Sequence, residues 1–257
     1  MAEQDPTQTA QAVLVRELTR VQRLHAERAA NPILAGALER LADWQARRLR
    51  ATYADLAADQ RYSEAIRFFQ NDLYGAADFS RRDADLARVV PMLVRVLPES
   101  IIMTAAAAVE LNALSQELDR VLLSRLSRAN GYFTVADYCK AYRRAGNYPL
   151  RHRQIKLTVD VGTAIDRSVN NAFVRTALAM MRQPARLAGL SALQDFLERG
   201  FDAFRLMKGA DAFLAIVHER ETALHDRIVS GSLDAFPDPT IVLMRRPSTA
   251  GAVAGPA

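Results

Sequence analysis

Apolar residues recur along this chain at three- and four-residue spacings, the period of an amphipathic helix. Leu14, Leu18 and Val21 form the first stripe, over about 9–30, with Arg16, Arg20 and Arg23 elsewhere around the helix. Asn31-Pro32 breaks the pattern, with proline suited to the first turn of a new helix. Leu34, Leu38, Leu41, Leu49, Tyr53 and Leu56 then carry a second long stripe to about residue 59. Two neighbouring stripes of this kind predict an antiparallel helical hairpin with a shared apolar seam.

A short helix carrying Phe68 and Phe69 follows and is expected to stop at Tyr74-Gly75, because glycine takes the left-handed cap without steric cost. Ser80, three residues before Asp83, reads as a capping box that starts a helix running to about 97, with a kink expected at Pro91. Met103, Val109, Leu111, Leu114, Leu118, Val121 and Leu122 give the stretch from Glu99 to about Ala129 a wide apolar stripe, that of a central helix ending at Asn130-Gly131. Thr134 and Asp137 repeat the capping-box pattern for a tyrosine-rich helix ending near Gly146. One long helix is expected from Pro149 to Met181, broken at Pro184. Ser191 with Gln194 would cap a run containing Leu193, Leu197, Phe201 and Phe204, and a last helix spans about 210–228.

No strand pattern and no fixed repeat competes with this reading. The fold class is therefore all-α, a compact single-domain bundle of about eight to ten helices. Residues 1–8 read as a flexible leader, 9–229 as the helical domain, and 230–257 as a Pro/Gly/Ala-rich disordered tail.

Composition supports a globular helical chain: 257 residues, half hydrophobic, a quarter charged, 7% aromatic. The net charge of +5 is carried almost wholly by arginine, with lysine only at 140, 156 and 208. An arginine excess follows from coding bias as readily as from a nucleic-acid footprint unless the charges share a face. The lone Cys139 permits no internal disulfide and no thiolate cluster, which fits a reducing, cytoplasmic setting. Met1 to Thr9 lacks the basic and apolar segments of a secretory signal. The longest apolar run, Ile101 to Val109, is too short to span a bilayer, so no membrane insertion is expected.

Helical geometry advances 100° per residue and places several polar side chains on apolar stripes. Glu221 lies between Val217, Leu224 and Ile228 with His218 and His225 beside it; His25 lies near the middle of the first stripe, and Glu110 beside Leu114. His25, Glu110, His218, Glu221 and His225 are thus the candidate metal ligands, for iron or manganese in a bundle or for a haem held by one His. The spacing departs from the paired Glu-x-x-His motifs of di-iron bundles. The competing expectation is that Glu221 bonds an arginine of a neighbouring helix.

Glycine-rich phosphate loops, serine elbows and a Cys-His pairing are absent, so no catalytic residue or cofactor is specified. Arg143, Arg144, Arg151, Arg153 and Lys156, interleaved with Tyr138, Tyr142 and Tyr148, form the best nucleic-acid candidate, since cations meet phosphates while tyrosines stack on bases.

The stretch Phe68, Phe69, Gln70, Asn71, Asp72, with Tyr74-Gly75 and Asp78-Phe79-Ser80, resembles the signature of a proteobacterial family named for a Phe-Phe-Leu-Glu-Glu (FFLEE) motif, a domain of unknown function. The naming Leu and first Glu are replaced by Gln70 and Asn71. Phe196-Leu197-Glu198, Gly200-Phe201, Phe204 and Arg220-Glu221 extend the resemblance, which runs from about Tyr62 to Ile228. It implies a helical cytoplasmic bacterial protein and no assigned activity.

The leading expectation is a non-enzymatic module that binds another protein or itself, since the long amphipathic hairpin carries no catalytic motif. The first alternative is a metal- or haem-dependent helical enzyme using Glu221 and the histidines. The second is nucleic-acid binding through Arg143–Lys156.

Overall fold

Three helices begin where side chains supply the caps. Thr9 Oγ1 accepts the Ala12 amide at 3.3 Å, and Asn31 Oδ1 accepts the Leu34 amide at 3.0 Å with Pro32 in the first turn. Thr134 and Asp137 exchange both bonds of a capping box, and the helix they start ends at Gly146 in the left-handed conformation, φ 67°.

The computed structural model describes residues 9–70, 85, 98–126 and 133–239. Among them are eleven helices and no strand: α1 (Ala10–Ala29), α2 (Pro32–Thr52), α3 (Ala54–Ala58), α4 (Ser63–Phe68), α5 (Glu99–Arg125), α6 (Val135–Ala145), α7 (Tyr148–Val169), α8 (Ala172–Met180), α9 (Arg182–Leu187), α10 (Ser191–Leu206) and α11 (Asp211–Val229). The all-α bundle is as the periodicity predicts. No helix among the described residues is long and apolar enough to cross a membrane.

α5 is the central helix, touching α1, α2, α6 and α7. The expected hairpin seam is corrected. Leu14, Leu18, Val21 and Leu24 of α1 bury against Ile102, Ala106, Val109 and Ala113 of α5, and no α2 residue enters that cluster. Arg20 ties the same pair of helices by donating to Glu17 at 3.0 Å and to Glu117 at 2.7 Å, and Arg120 of α5 pairs with Glu27 of α1. A stripe can be satisfied by any apolar face, and the alanine-rich face of α5 lets α1 approach more closely than α2 does.

Other boundaries shift for identifiable reasons. The second pattern breaks at Tyr53, where Arg220 donates to the Thr52 carbonyl at 2.9 Å and clasps Asp55 through both guanidinium nitrogens. The long helix expected to Met181 ends at Asn170, whose short amide side chain competes with the helical backbone. Pro184 sits in the first turn of α9, where its missing amide costs nothing, so the break falls at Met181 instead. The capping box expected at Ser191 is absent. Leu190 is the cap residue, and Gln194 donates to the Leu178 carbonyl at 2.8 Å.

A second cluster joins Tyr53, Leu56, Tyr62 and Ile66 to Phe204, Phe213, Leu214 and Val217. Phe68 packs on Phe196 at 5.4 Å between ring centroids and Phe69 on Phe213 at 5.7 Å, so the paired phenylalanines pin the end of α4 to α10 and α11. Two glycines allow close crossings. A Cβ on Gly162 would fall 2.5 Å from Leu214 Cδ2, and one on Gly200 would fall 2.9 Å from Phe68 Cζ.

A third cluster gathers Leu41 and Trp44 of α2, Leu122 of α5, Tyr138 and Tyr142 of α6, Ile228 of α11 and also Ala235 and Phe236. Residues 230–239, the first part of the expected tail, thus include an aromatic side chain that packs on Trp44 at 5.7 Å. The leader 1–8, the turn at Gly75, the helix start at Ser80, the kink at Pro91, the stop at Asn130-Gly131 and residues 240–257 lie outside the described residues. So do Asp72, Tyr74, Asp78 and Phe79 of the family motif.

Candidate functional site

Where α2, α5, α7, α8 and α10 face one another, the inward positions include Ala35, Ala42, Ala105, Ala108, Gly162 and Ala177. Small side chains between helices held apart by larger neighbours leave space. Here they leave a cavity of about 1010 Å³, with walls completed by apolar residues such as Leu49, Ile66, Phe68 and Val217. Protein interiors ordinarily contain few voids larger than a water molecule.

The polar groups on this wall are largely matched to one another. Arg48 of α2 donates to Glu221 Oε1 of α11 at 2.6 Å, and the Tyr53 hydroxyl donates to the same oxygen at 2.9 Å. Burial alone would lower the Arg48 pKa, but Glu221 outweighs it and holds the guanidinium firmly charged. Gln45 donates to Asp119 Oδ1 at 2.9 Å, and Gln154 to Ser115 Oγ at 2.8 Å. Burial pushes the Asp119 carboxyl above its ordinary range, with Arg151 and the Gln45 bond opposing. Asp119 is nonetheless partly exposed, because it opens onto the cavity.

The five expected metal ligands are not brought together. Glu221 has the arginine bridge that was the competing expectation. Glu110 accepts from Arg153 Nε at 2.7 Å, His25 lies 3.4 Å from the Gln116 amide, and His218 is exposed. His225 alone joins a group with ligand spacing, and its companions are His152 of α7 and Asp226 of α11: one donor atom from each lies within 4.8 Å of the others. Periodicity along α11 singles out His225 but carries no sign of His152, which arrives through the crossing with α7.

The residues of the basic segment stand in different surroundings. Arg151 is buried over the Tyr142 ring at 4.9 Å and donates to Gln154, while Arg143 donates to the carbonyls of Ile228 and Ser232, each at 3.0 Å. Arg153 pairs with Glu110 and Lys156 with Asp160, and both remain exposed, as does Arg144. Tyr138 and Tyr142 are core residues. The arginines that looked like a patch are dispersed by the helical turn into helix-end bonds and ion pairs.

Residues 24–235 match the family described as Domain of unknown function (DUF8198), and the chain belongs to that family. No curated protein and no solved structure matches the chain.

Proposed function

We propose that this chain is a binding protein for an apolar or amphipathic small molecule with an uncharged, hydrogen-bonding polar end. The observation that carries the reading is the cavity of about 1010 Å³, apolar over most of its wall. Its size is at the upper end of small-molecule pockets, and its lining follows their usual pattern of many apolar contacts and few polar ones.

Charge pairing supports the uncharged end. Arg28, Arg48 and Arg120 on the wall are already matched by Glu39, Glu221 and Glu27, while Arg151, also on the wall, is buried over the Tyr142 ring and donates to Gln154. A ligand carboxylate would have to displace a protein carboxylate from Arg28, Arg48 or Arg120, or reach the buried Arg151 behind Gln154, whereas a carbonyl or hydroxyl can meet Asp119, Gln45 or Gln116 without breaking an ion pair.

The test is titration with the neutral solvatochromic dye Nile red, together with native mass spectrometry of gently purified protein. Saturable one-to-one dye binding is expected, lost in Ala108→Trp while the helical circular dichroism stays unchanged. Absence of one-to-one binding, or full binding by both Ala108→Trp and Ala42→Trp, would overturn the reading. A Soret band in the purified protein would replace it with the haem reading that His25 on the wall admits.

Association with another protein or a second copy is the second reading. Met180 and Leu187 are 73% and 89% exposed, beside the cavity-lining Met181. A sedimentation mass above that of the monomer, reduced by Leu187→Glu, is its expected result. A bacterial cytoplasmic setting and membership of the FFLEE-motif group belong to the same proposal, supported by the buried free Cys139 and the packed Phe68-Phe69 pair.

A further inference from the structure

We infer that His152, His225 and Asp226 form a site for a divalent first-row transition metal, with Zn²⁺ as its reference ion. The site stands apart from the cavity, which none of the three lines, and does not rest on the reading above.

Three observations converge. The ligand atoms of the trio lie within 4.8 Å of one another, and the two imidazoles meet with ring centroids 4.3 Å apart and planes inclined by 65°. Zinc–nitrogen and zinc–oxygen bonds of about 2.0–2.2 Å draw such atoms to somewhat closer separations. That contraction is within reach of rotamer changes at His152 and Asp226, which are exposed. The backbones are already set by the crossing of α7 over α11.

The second observation is the support behind His225. It is 3% exposed, and its Nδ1 lies 2.6 Å from the hydroxyl of Tyr142 on α6. Metal-binding histidines characteristically engage their other ring nitrogen in such a bond, which fixes the ring and its tautomer. The bond to Tyr142 occupies Nδ1 and leaves Nε2 as the nitrogen open to an ion; in the tautomer with Nδ1–H donating to the Tyr142 oxygen, Nε2 carries the lone pair.

Third, the other two groups have no competing role. The His152 ring and the Asp226 carboxylate make no hydrogen bond or ion pair among the described residues, so binding breaks nothing. Two imidazoles and one carboxylate suit zinc and its neighbours, whereas calcium and magnesium require oxygen ligands. With two ligands at the surface, water can complete the coordination shell.

The experiment uses the full chain without a histidine tag, stripped with chelator, then titrated with Co²⁺ by visible absorption and Zn²⁺ by calorimetry. One equivalent is expected to bind, with d–d bands of low coordination number and a rise in melting temperature. His152→Ala and Asp226→Asn, both at exposed positions, should each weaken binding by at least about tenfold with unchanged circular dichroism. Lack of stoichiometric binding, or wild-type affinity in both variants, would overturn the proposal.

Discussion

α2 borders a solid region and a hollow one within the same few turns. Leu41 and Trp44 enter the aromatic cluster, where Trp44 stacks on Tyr138 at 4.8 Å and meets Phe133 at 4.9 Å. Ala35 and Ala42 face the cavity. Both regions are apolar, so hydrophobicity does not distinguish them. Side-chain volume along α2 does: Leu41 and Trp44 fill the gap to the neighbouring helices, and Ala35 and Ala42 leave it open. The hollow is thus a consequence of particular residue choices within a chain capable of dense packing.

The comparison breaks most sharply at Trp44. Trp44→Ala should cost about 3–5 kcal/mol, since it removes a nearly fully buried ring from a close-packed cluster. Denaturant unfolding followed by circular dichroism measures it. A loss below about 1 kcal/mol would mean that the solid region does not anchor the fold.

Next in size is the ion pair on the cavity wall. Arg48 and Glu221 are 12% and 19% exposed, so Arg48→Ala strands a carboxylate in a poorly solvated position and should cost about 3 kcal/mol. The double variant Arg48→Met/Glu221→Leu should cost less than Arg48→Ala alone, because no charge is left behind. If the single and double variants lose equal stability, the pair is solvated and the wall is wetter than its lining suggests.

Gly162→Ala comes third, at about 1–3 kcal/mol, because the new methyl meets Leu214 at the α7–α11 crossing. Its lesson is local: the cavity is roomy, yet one of its lining residues has no space behind it. Thermal melting that matches the wild type would show that Leu214 can move aside into the hollow.

The legible parts of this fold were the ones decided within a turn of chain. The break at Asn31-Pro32, the Thr134–Asp137 box and the glycine stop at 146 act within a few residues of chain. The break at Tyr53 was not legible, because it depends on Arg220 from the far end of the chain. Nor was the choice of α5 as the partner of α1, since an apolar stripe states that it needs a partner and not which one. Glu221 was legible as a polar residue on an apolar face, and its arginine was the expected alternative; that Arg48 supplies it is a tertiary fact. The cavity left no sequence signal, because alanine on a helix face reads equally as close packing or as space. His152 escaped because its partners sit on another helix and its sequence neighbours are arginines that suggested a different chemistry.

The smallest expected effect bears on why the hollow keeps a carboxyl group. Burial raises the Asp119 pKa in the folded chain, so folding favours its protonated form. That contribution is fully present below the unfolded value, about 3.9, and is lost as pH rises through the folded one. Asp119→Asn removes the cost of ionising a buried acid while keeping a polar side chain beside Gln45. It should therefore gain stability relative to the wild type as pH rises toward neutrality, by less than any loss above, and the two should converge below about pH 4. A pH series of thermal melts measures the difference. If the variant instead loses stability most at neutral pH, Asp119 works as a charged partner of Arg151, and the wall offers a ligand no acidic hydrogen there. If the gain appears and binding of an uncharged ligand weakens in the same variant, the carboxyl is retained at a cost in stability for the hydrogen bond that it makes in the hollow.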